Sequence, residues 1–328
     1  MKKQLLSGLL AGTMVLSLAA CGGSASTSAA DSASGTSTEA VSAGDNEIIY
    51  GYTCMQLTNP FHIAMRDEFK KLAEADGITF LEFDGDNSQQ KQNDAIDDMI
   101  AQGIDVLFLN PVDSDGVQPA LEACAAAGVK VITVDSNVTD TSLIETYISS
   151  DNFLAGKQDG EEIVRLYPDG CNIAILENPL AESVVQRVNG LESALEGTNC
   201  KIIDRKTFPA PDKILPTAED ILTAESDLQV FWGLNDDVSL IILGAVESAG
   251  RQDEIKVMSV DGSPSGKTSV LNGGMYCTAA QSPISIADKA YECATQIMNG
   301  ESVEPSYSLG TTLVTPENVA DNDPSNWG

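Results

Sequence analysis

The chain has 328 residues, and 49 acidic against 18 basic residues give it a net charge of −31 with a single histidine, His62. This excess of negative charge argues against nucleic acid and anionic lipid as partners, because both would repel it. One histidine excludes a zinc site built from several histidines, and it leaves any Ser-His or Cys-His triad dependent on that residue. Apolar residues make up 42% of the chain, which is ordinary for a globular protein of one or two domains.

Residues 1–20 have the pattern of a secretory signal. Lys2 and Lys3 form a positive segment, and an uncharged, mostly apolar run follows it. The run ends Leu18-Ala19-Ala20-Cys21, which resembles the bacterial lipobox. That resemblance implies that Cys21 becomes the lipidated first residue of the mature protein, held to the outer face of the membrane by acyl chains such as palmitate.

Residues 21–46 are predicted to be the lipidated cysteine and a flexible tether. After Cys21 the segment consists of Gly, Ser, Ala and Thr with almost no large apolar residue. Such a composition cannot bury enough surface to fold. We therefore expect the globular body to begin at residue 47.

The first half of the body alternates short apolar runs with longer amphipathic ones. Strands are predicted at Ile48–Cys54, Thr79–Asp84, Asp105–Leu109, Val129–Val134 and Glu145–Ser149. Helices are predicted at Phe61–Asp76, from a Ser88 cap through Gln102, and at Asp113–Ala127.

The alternation of short apolar runs and longer amphipathic runs begins again after residue 150. Strands are predicted at Asn172–Leu176, Lys201–Thr207, Gln229–Trp232, Ile255–Val260, Met275–Ala280 and Ser308–Val314. Helices are predicted at Asn152–Leu166, Ser183–Leu195, within 213–226 with a start that Pro216 leaves open, Asp236–Ser248 and Ile284–Met298.

Strands separated by ten to fifteen helical residues indicate βαβ units. The pattern also fits a (β/α)₈ barrel, but each half repeats one plan, which favours two doubly wound, Rossmann-like α/β lobes with a cleft between them. We expect an N-terminal lobe of residues 47–150 plus 282–308 and a C-terminal lobe of residues 151–281 plus 309–328. Ligands of open α/β sheets bind outside the carboxyl ends of the strands.

The body contains six further cysteines. Four lie in strand-like or helix-like runs and are expected to be small buried hydrophobes: Cys54, Cys124, Cys277 and Cys293. Cys171 and Cys200 each precede a strand of the same half, so a disulfide between them is possible, but the sequence does not choose among the fifteen pairings. The absence of a CxxC spacing argues against a metal cluster or redox motif.

Polar motifs follow most of the predicted strands. They are Thr58-Asn59-Pro60-Phe61-His62, Asn110-Pro111-Val112-Asp113, Val134-Asp135-Ser136, Ser150-Asp151-Asn152 with Gly156, Arg187-Val188-Asn189-Gly190, Asn235-Asp236-Asp237, Val260-Asp261-Gly262 and Ala280-Gln281. In this order and spacing they resemble the type I periplasmic sugar-binding proteins, especially the ribose-binding group of ABC-transporter solute-binding lipoproteins. The resemblance covers residues 47 to about 315.

The resemblance implies a ligand between the lobes and a set of residues that bind it. By matching positions these are Asn59, Phe61, His62, Asn110, Asp135, Ser136, Arg187, Asn235, Asp261 and Gln281. Carboxylates and amides suit adjacent hydroxyl groups, and an aromatic face suits the C–H face of a sugar ring. Two aspartates against one arginine leave little positive charge for a phosphate, so we expect a neutral sugar or polyol.

Three positions depart from the ribose-binding pattern. His62 stands in place of a second aromatic residue, Ser136 in place of an arginine, and Ala210-Pro211-Asp212 where the family has another aromatic residue. These changes put ribose itself in doubt. A different pentose, a hexose, a furanose or an inositol-like ring would also be compatible with the remaining residues.

The expected function is capture of the ligand by lobe closure about three crossings near residues 150, 281 and 308, and delivery to the permease of an ABC importer. The alternative is a sensor component that presents its ligand to a histidine kinase or chemoreceptor. A lactose-repressor-type regulator is rejected because no helix-turn-helix precedes the body. An enzyme is rejected because no GxSxG, P-loop or GxGxxG motif is found. We expect no cofactor or metal, a monomer, and a membrane contact through the lipid only.

Overall fold

The computed structural model describes residues 47–327 of the chain. The predicted signal, lipidation site and tether lie outside the described residues. The described strands are β1 Ile49–Cys54, β2 Thr79–Asp84, β3 Val106–Leu109, β4 Lys130–Val134, β5 Thr146–Ser150, β6 Asn172–Glu177, β7 Lys201–Thr207, β8 Val230–Gly233, β9 Lys256–Asp261, β10 Cys277–Ala280, β11 Ser306–Leu309 and β12 Thr312–Val314. The described helices are α1 Pro60–Asp76, α2 Gln89–Ala101, α3 Gln118–Ala127, α4 Asn152–Leu166, α5 Glu182–Leu195, α6 Ile214–Ala224, α7 Asp236–Ser248, α8 Pro264–Leu271 and α9 Pro283–Met298.

The strands form two sheets of six. The first has the order β11-β5-β4-β3-β1-β2 and the second β12-β10-β9-β8-β6-β7. Every pairing is parallel except that of β10 with the edge strand β12. We call the part built on the first sheet the N-terminal lobe and the part built on the second the C-terminal lobe. The predicted class, two doubly wound α/β lobes, is confirmed.

Each sheet is buried by helices on its faces. In the N-terminal lobe Tyr50, Phe69 and Phe108 pack on the side of α1 and α9, and Ile96 and Leu121 belong to a second cluster on the side of α2 and α3. The C-terminal lobe has one continuous core around Trp232 and Phe231. Burial on both faces explains why the central strands read as unbroken apolar runs.

The chain passes between the lobes at three places. It crosses after β5 and after β10, and again between β11 and β12. The predicted single strand Ser308–Val314 is therefore wrong: β11 pairs with β5 of the first sheet and β12 with β10 of the second. Apolar patterning could not separate them, because two short strands joined by Gly310 and Thr311 have the same composition as one longer strand.

One helix differs from its predicted bounds by several residues, one was not predicted, and one lies inside its predicted range. Helix α3 begins at Gln118 rather than Asp113, because the Asp113 carboxylate accepts the backbone N–H groups of Asp115 and Gly116 in a local turn. Helix α8 was not predicted at all, although Ser263 caps it and Pro264 opens it. Helix α6 begins before Pro216, which sits in the first turn where its missing N–H has no helical partner to lose.

The six cysteines of the described residues are free and buried. Cys171 and Cys200, for which a disulfide was considered possible, lie beside each other at the start of β6 and β7, and the Cys200 thiol donates to the carbonyl of Tyr167 at 3.5 Å. Burial raises the pKa of the Cys171 thiol, so it stays protonated. None of the described helices has both the length and the hydropathy needed to span a bilayer.

The residues that follow β12 return to the N-terminal lobe. Val319 packs into the core of the C-terminal lobe, and the Lys267 amine of α8 donates to the carbonyl of Asn326 at 2.5 Å. The next residue, Trp327, meets Phe61 edge to face with ring centroids 5.4 Å apart. The tail thus connects the two lobes beside the cleft.

Candidate functional site

Two aspartates end corresponding strands of the two lobes with unusual backbone geometry. Asp135 follows β4 with φ of 64°, and Asp261 ends β9 with φ of 134°. Residues other than glycine rarely adopt positive φ, and where they do the surrounding structure must hold them there. The Asp135 carbonyl accepts the Tyr147 hydroxyl at 2.8 Å, and the Asp261 carbonyl accepts the Gln281 N–H at 2.8 Å. Both carboxylates are buried.

Each aspartate is bonded to an amide from the neighbouring strand end. Asn110 Nδ2 donates to Asp135 Oδ2 at 2.9 Å, and Gln281 Nε2 donates to Asp261 Oδ1 at 2.7 Å. Three oxygens of these groups are buried without a hydrogen-bond partner: Asn110 Oδ1, Asp135 Oδ1 and Gln281 Oε1. Unpaired buried acceptors are costly, so the site favours a molecule that supplies several donors.

Arg187 brings the positive charge of the site. It lies on α5, where its Nε donates to Asn152 Oδ1 and its Nη1 to the carbonyl of Leu234, both at 2.8 Å. Nη1 is also 3.6 Å from Asp261 Oδ1. Burial raises the pKa of Asp261 well above its usual range, and the Arg187 guanidinium acts in the opposite direction. The guanidinium is fixed at Nε and Nη1 by the protein, which leaves Nη2 as the nitrogen that can donate into the cavity that Arg187 lines.

The first loop supplies an amide, an aromatic ring and the histidine. Asn59 caps α1 by accepting the Phe61 N–H at 2.8 Å. His62 Nδ1 is 2.9 Å from the carbonyl of Gln56, and its Nε2 is 3.4 Å from Asn110 Nδ2. A carbonyl can only accept, so Nδ1 carries the proton of the neutral ring and Nε2 is an acceptor. Burial lowers the pKa of His62, which keeps the ring neutral.

A cavity of about 410 Å³ lies between the lobes where these strand ends converge. Seven of the ten predicted site residues line it, namely Asn59, Phe61, His62, Asp135, Arg187, Asn235 and Asp261. Asn110 and Gln281 stand behind the two aspartates as their hydrogen-bond donors. Ser136 is fully buried and is not at the cavity wall.

Ser136 instead makes a contact between the lobes. Its Oγ is 2.6 Å from Oγ of Ser183 at the start of α5. Close by, the Tyr147 hydroxyl is 3.5 Å from Glu182 Oε2. Position 136 therefore joins the N-terminal lobe directly to the C-terminal lobe in this chain.

Sequence reasoning missed much of the apolar lining. Phe208 lines the cavity just before the Ala210-Pro211-Asp212 stretch where an aromatic residue was thought to be lost. Its position directly after β7, at the carboxyl end of a strand, was the available signal. Met55, Leu180 and Ile241 also line the cavity, but no motif marks them. Trp232, in contrast, is fully buried in the core and donates to Asp159 Oδ2 at 2.8 Å.

Three carboxyl groups, those of Asp135, Asp237 and Asp261, line the cavity against one basic side chain, Arg187. Asp135 and Asp261 face a single arginine, and the neighbouring Asp237 has a pKa that burial raises. Among the described residues, no three His, Cys, Asp or Glu side chains come together in a way that would hold a metal ion. The arrangement is suited to hydrogen bonding with neutral hydroxyl groups.

Comparison with known proteins gives consistent matches. A family profile described as "Periplasmic binding protein domain" matches residues 50–302, a range that extends over both lobes. The ribose import binding protein RbsB of Escherichia coli (strain K12) is 31% identical over 265 residues, which are 80% of this chain and 88% of that protein.

Solved structures show the same similarity. An ABC transporter solute binding protein from Mycobacterium smegmatis with bound glycerol shares 30% identity at a TM-score of 0.79, with 84% of this chain and 96% of that chain covered. The Caulobacter myo-inositol binding protein bound to myo-inositol shares 27% identity at a TM-score of 0.79, with 86% and 98% covered.

Proposed function

Because the chain belongs to the periplasmic binding protein domain family, we propose that it captures a small neutral sugar or polyol outside the cytoplasm and delivers it to an ABC importer. The observation that carries this proposal is the cavity between the lobes, where Asp135, with its buried and unpartnered Oδ1, comes together with Asp261 and Arg187. The relatives are named for sugars or were solved with polyols, which supports the same class of ligand.

The proposed contacts follow from the donors and acceptors of the cleft. Asp135 and Asp261 accept hydroxyl groups, and Nη2 of Arg187 donates to a ring or hydroxyl oxygen. Phe61 covers a C–H face of the ligand. Asn59, His62 and Asn235 complete the set, while Asn110 and Gln281 act through the aspartates and through their own free oxygens.

Closure of the lobes is the proposed mechanism of capture. The lobes are taken as the predicted residues 47–150 plus 282–308 and residues 151–281 plus 309–328, except that Leu309 belongs to β11 and so to the N-terminal lobe. Three crossings join them. A ligand that touches both lobes binds the closed form more tightly than the open form, so it shifts the population toward closure. Hinge closure of periplasmic binding proteins is an example of this class of motion that is already well described.

The proposal is one of binding without chemistry, by a monomer. The similarity to binding proteins supports it. We further propose, on the sequence pattern alone, that Cys21 carries the lipid and that residues 22–46 tether the body to the membrane. Mass spectrometry of the mature protein tests this, because lipidation adds acyl chains to a chain that begins at Cys21.

Isothermal titration calorimetry of the purified mature protein tests the function. The panel contains pentoses, hexoses and inositols, and mass spectrometry of the heat-released supernatant identifies any co-purified ligand. We expect one class of sugar or polyol to bind at one site per chain. Asp135→Asn should lower its affinity at least about tenfold, because the amide nitrogen that replaces one carboxyl oxygen cannot accept a hydroxyl group.

The matched control is Asp97→Asn, a change of the same type at an exposed position of α2, which should leave the affinity unchanged. A folded protein that binds no member of the panel and carries no ligand would refute the proposal. Chemical conversion of a bound sugar by the protein would instead show an enzyme.

A further inference from the structure

The lining of the cavity divides into a polar part and an apolar part. The polar part contains Asp135, Arg187 and Asp261. Apolar residues also line the cavity, and we call five of them, which follow β6 and β7 or lie on α6 and α7, the apolar wall: Leu180, Phe208, Pro209, Ile214 and Ile241. Met55, Phe61, Val112 and Leu234 are apolar lining residues outside this group. A free sugar presents apolar C–H groups only on the faces of its ring, so it covers a small part of an apolar surface of this extent.

The order of the strands puts the two parts at opposite ends of the cavity. Asp261 ends β9, whereas Leu180 follows β6 and Phe208 follows the edge strand β7. Strands β9 and β7 are three positions apart in the sheet, a separation of about 14 Å at ~4.8 Å per strand. Helix α6 packs on α7, which brings Ile214 and Ile241 to the same side.

The distance between the two ends exceeds the size of one sugar ring. A pyranose built from bonds of about 1.5 Å measures roughly 6 Å between opposite hydroxyl oxygens. A ring bound to Asp135, Arg187 and Asp261 would therefore leave most of the apolar wall uncovered.

The volume of the cavity also indicates that it is larger than one sugar ring. At ~30 Å³ per molecule, the cavity of about 410 Å³ would hold roughly fourteen waters. A hexose has about twelve non-hydrogen atoms. Because these atoms are covalently bonded, each occupies less volume than a water molecule does in the liquid. Room for a further group remains once a hexose is bound.

Three residues of the apolar wall, Leu180, Pro209 and Ile241, are exposed to solvent. Leu180 is 56% and Ile241 is 36% exposed, and both are among the large hydrophobic residues on the surface. A ligand group that covered them would remove apolar area from water and gain affinity in proportion. No basic side chain lines the cavity at this end, and Asp237 is near it, so the group should be uncharged or cationic rather than anionic.

From these observations we propose that the site takes a sugar that carries an apolar substituent, namely a small glycoside with an aryl or short alkyl aglycone. The sugar lies at the polar end, between Asp135 and Asp261, and the aglycone lies against the apolar wall. This inference rests on the proposed function, since it places the sugar part in the same site.

The test compares three forms of each sugar in the panel by calorimetry: the free sugar, its methyl glycoside and its phenyl glycoside. Both anomers are included. We expect the phenyl glycoside of one sugar to bind at least about tenfold more tightly than the free sugar, because the ring buries area on the apolar wall. The methyl glycoside should fall between them.

Variants of the apolar wall then show which residues account for the higher affinity of the phenyl glycoside. Leu180→Asn and Ile241→Asn should each reduce the preference for the phenyl glycoside over the free sugar by about threefold to tenfold. Leu271→Asn is the matched control, because Leu271 is 49% exposed on α8 and does not line the cavity, and its preference should equal that of the unmodified chain. All three positions are on the surface, so a loss of preference would not reflect unfolding.

The outcomes separate the inference from the function on which it rests. Binding of a free sugar together with exclusion of its glycosides would overturn the inference and leave the proposed function in place. Equal affinity for free and phenyl forms would also overturn it, since the wall would then cover only the C–H face of the sugar. If neither form of any sugar binds, both proposals fail.

Discussion

At the scale of single residues, the site depends on a short chain of side chains in the N-terminal lobe. The Asn110 amide donates to Asp135 Oδ2 and lies 3.4 Å from His62 Nε2, while His62 Nδ1 is bonded to the Gln56 carbonyl. Every member therefore has a fixed orientation as long as the imidazole is neutral. His62 thus does more than replace an aromatic residue, because it also positions an amide beside a carboxylate that lines the cavity.

The titration of His62 follows from its surroundings. Burial lowers its pKa below the ordinary 6.5; Asp135 and Asp84 act against this, and Arg187 acts with it. The unfolded chain therefore takes up the proton at a higher pH than the folded chain. The free energy of unfolding should be unaffected by His62 well above pH 6.5 and should decrease as the pH falls through 6.5, until the pKa of the folded state is passed.

Two measurements check this prediction. The proton NMR spectrum of tag-free protein shows one imidazole, because the chain has one histidine, and its titration midpoint should lie below 6.5. Urea unfolding at neutral and acidic pH should show a larger loss of stability for the unmodified chain than for His62→Phe. The buried carboxylates Asp159 and Asp261, whose pKa values burial raises, contribute equally to both and cancel in the comparison. A midpoint at or above 6.5 would contradict the expectation.

At the scale of elements, the position of Arg187 depends on two helices in unusually close contact. A Cβ at Gly156 of α4 would lie 1.7 Å from the Arg187 carbonyl oxygen, and a Cβ at Gly190 of α5 would lie 1.9 Å from the Phe153 carbonyl oxygen. Glycine at both positions lets the two backbones touch. The motifs that contain Gly156 and Gly190 were noted in the sequence, but only the packing of α4 on α5 explains why glycine is required there.

Gly156→Ala and Gly190→Ala should each destabilise the protein by about 3 kcal/mol, because the methyl group meets backbone that cannot move aside. Ligand affinity should fall as well, since α5 carries Arg187. The control is Gly244→Ala on α7, where a Cβ would meet nothing within 4 Å. That change should stabilise the protein by up to about 1 kcal/mol, through better helix propensity. Thermal and urea unfolding measure both effects, and equal stability of the three variants would argue against close packing of α4 on α5.

At the scale of the whole molecule, the lobes meet through direct contacts as well as through the three crossings. Ser136 and Ser183 are joined across the cleft at 2.6 Å, and the tail places Trp327 on Phe61. Such contacts exist only when the lobes are close, so they set the free energy of closure in the absence of ligand. Because a ligand that needs the closed form is bound more weakly when that form is rarer, these contacts influence affinity from outside the ligand site.

Removal of the serine contact should weaken binding without removing a ligand contact. Ser136→Ala and Ser183→Ala should each lower the affinity by roughly twofold to tenfold, which corresponds to about 0.5–1.5 kcal/mol for one hydrogen bond. The double variant should lose little more than either single variant, because both changes remove the same bond. Calorimetry of the four proteins gives the coupling energy. Additive losses would show that Ser183, which lines the cavity, contributes by contacting the ligand itself.

Much of this protein was determined by local sequence. Alternation of apolar and amphipathic runs predicted most strands and helices within one or two residues, because the periodicity of a buried strand or of a one-sided helix is a local property. The carboxyl ends of parallel strands lie at one edge of a sheet, so the polar residues that follow them are expected around one cleft. Seven of the ten predicted residues, among them Asn59 and Asp261, line the cavity.

Other features were decided only by tertiary structure, because they depend on which segments meet across long distances. The split of the last predicted strand into β11 and β12 follows from pairing with two different sheets. The bond of Ser136 to Ser183 and the placement of Leu180 and Ile241 at the cavity depend on how the lobes and helices pack, and no local pattern encodes them. The sequence thus specified a cleft for hydroxyl groups, whereas its apolar end exists only because packing brings the edge of one sheet to the same cavity.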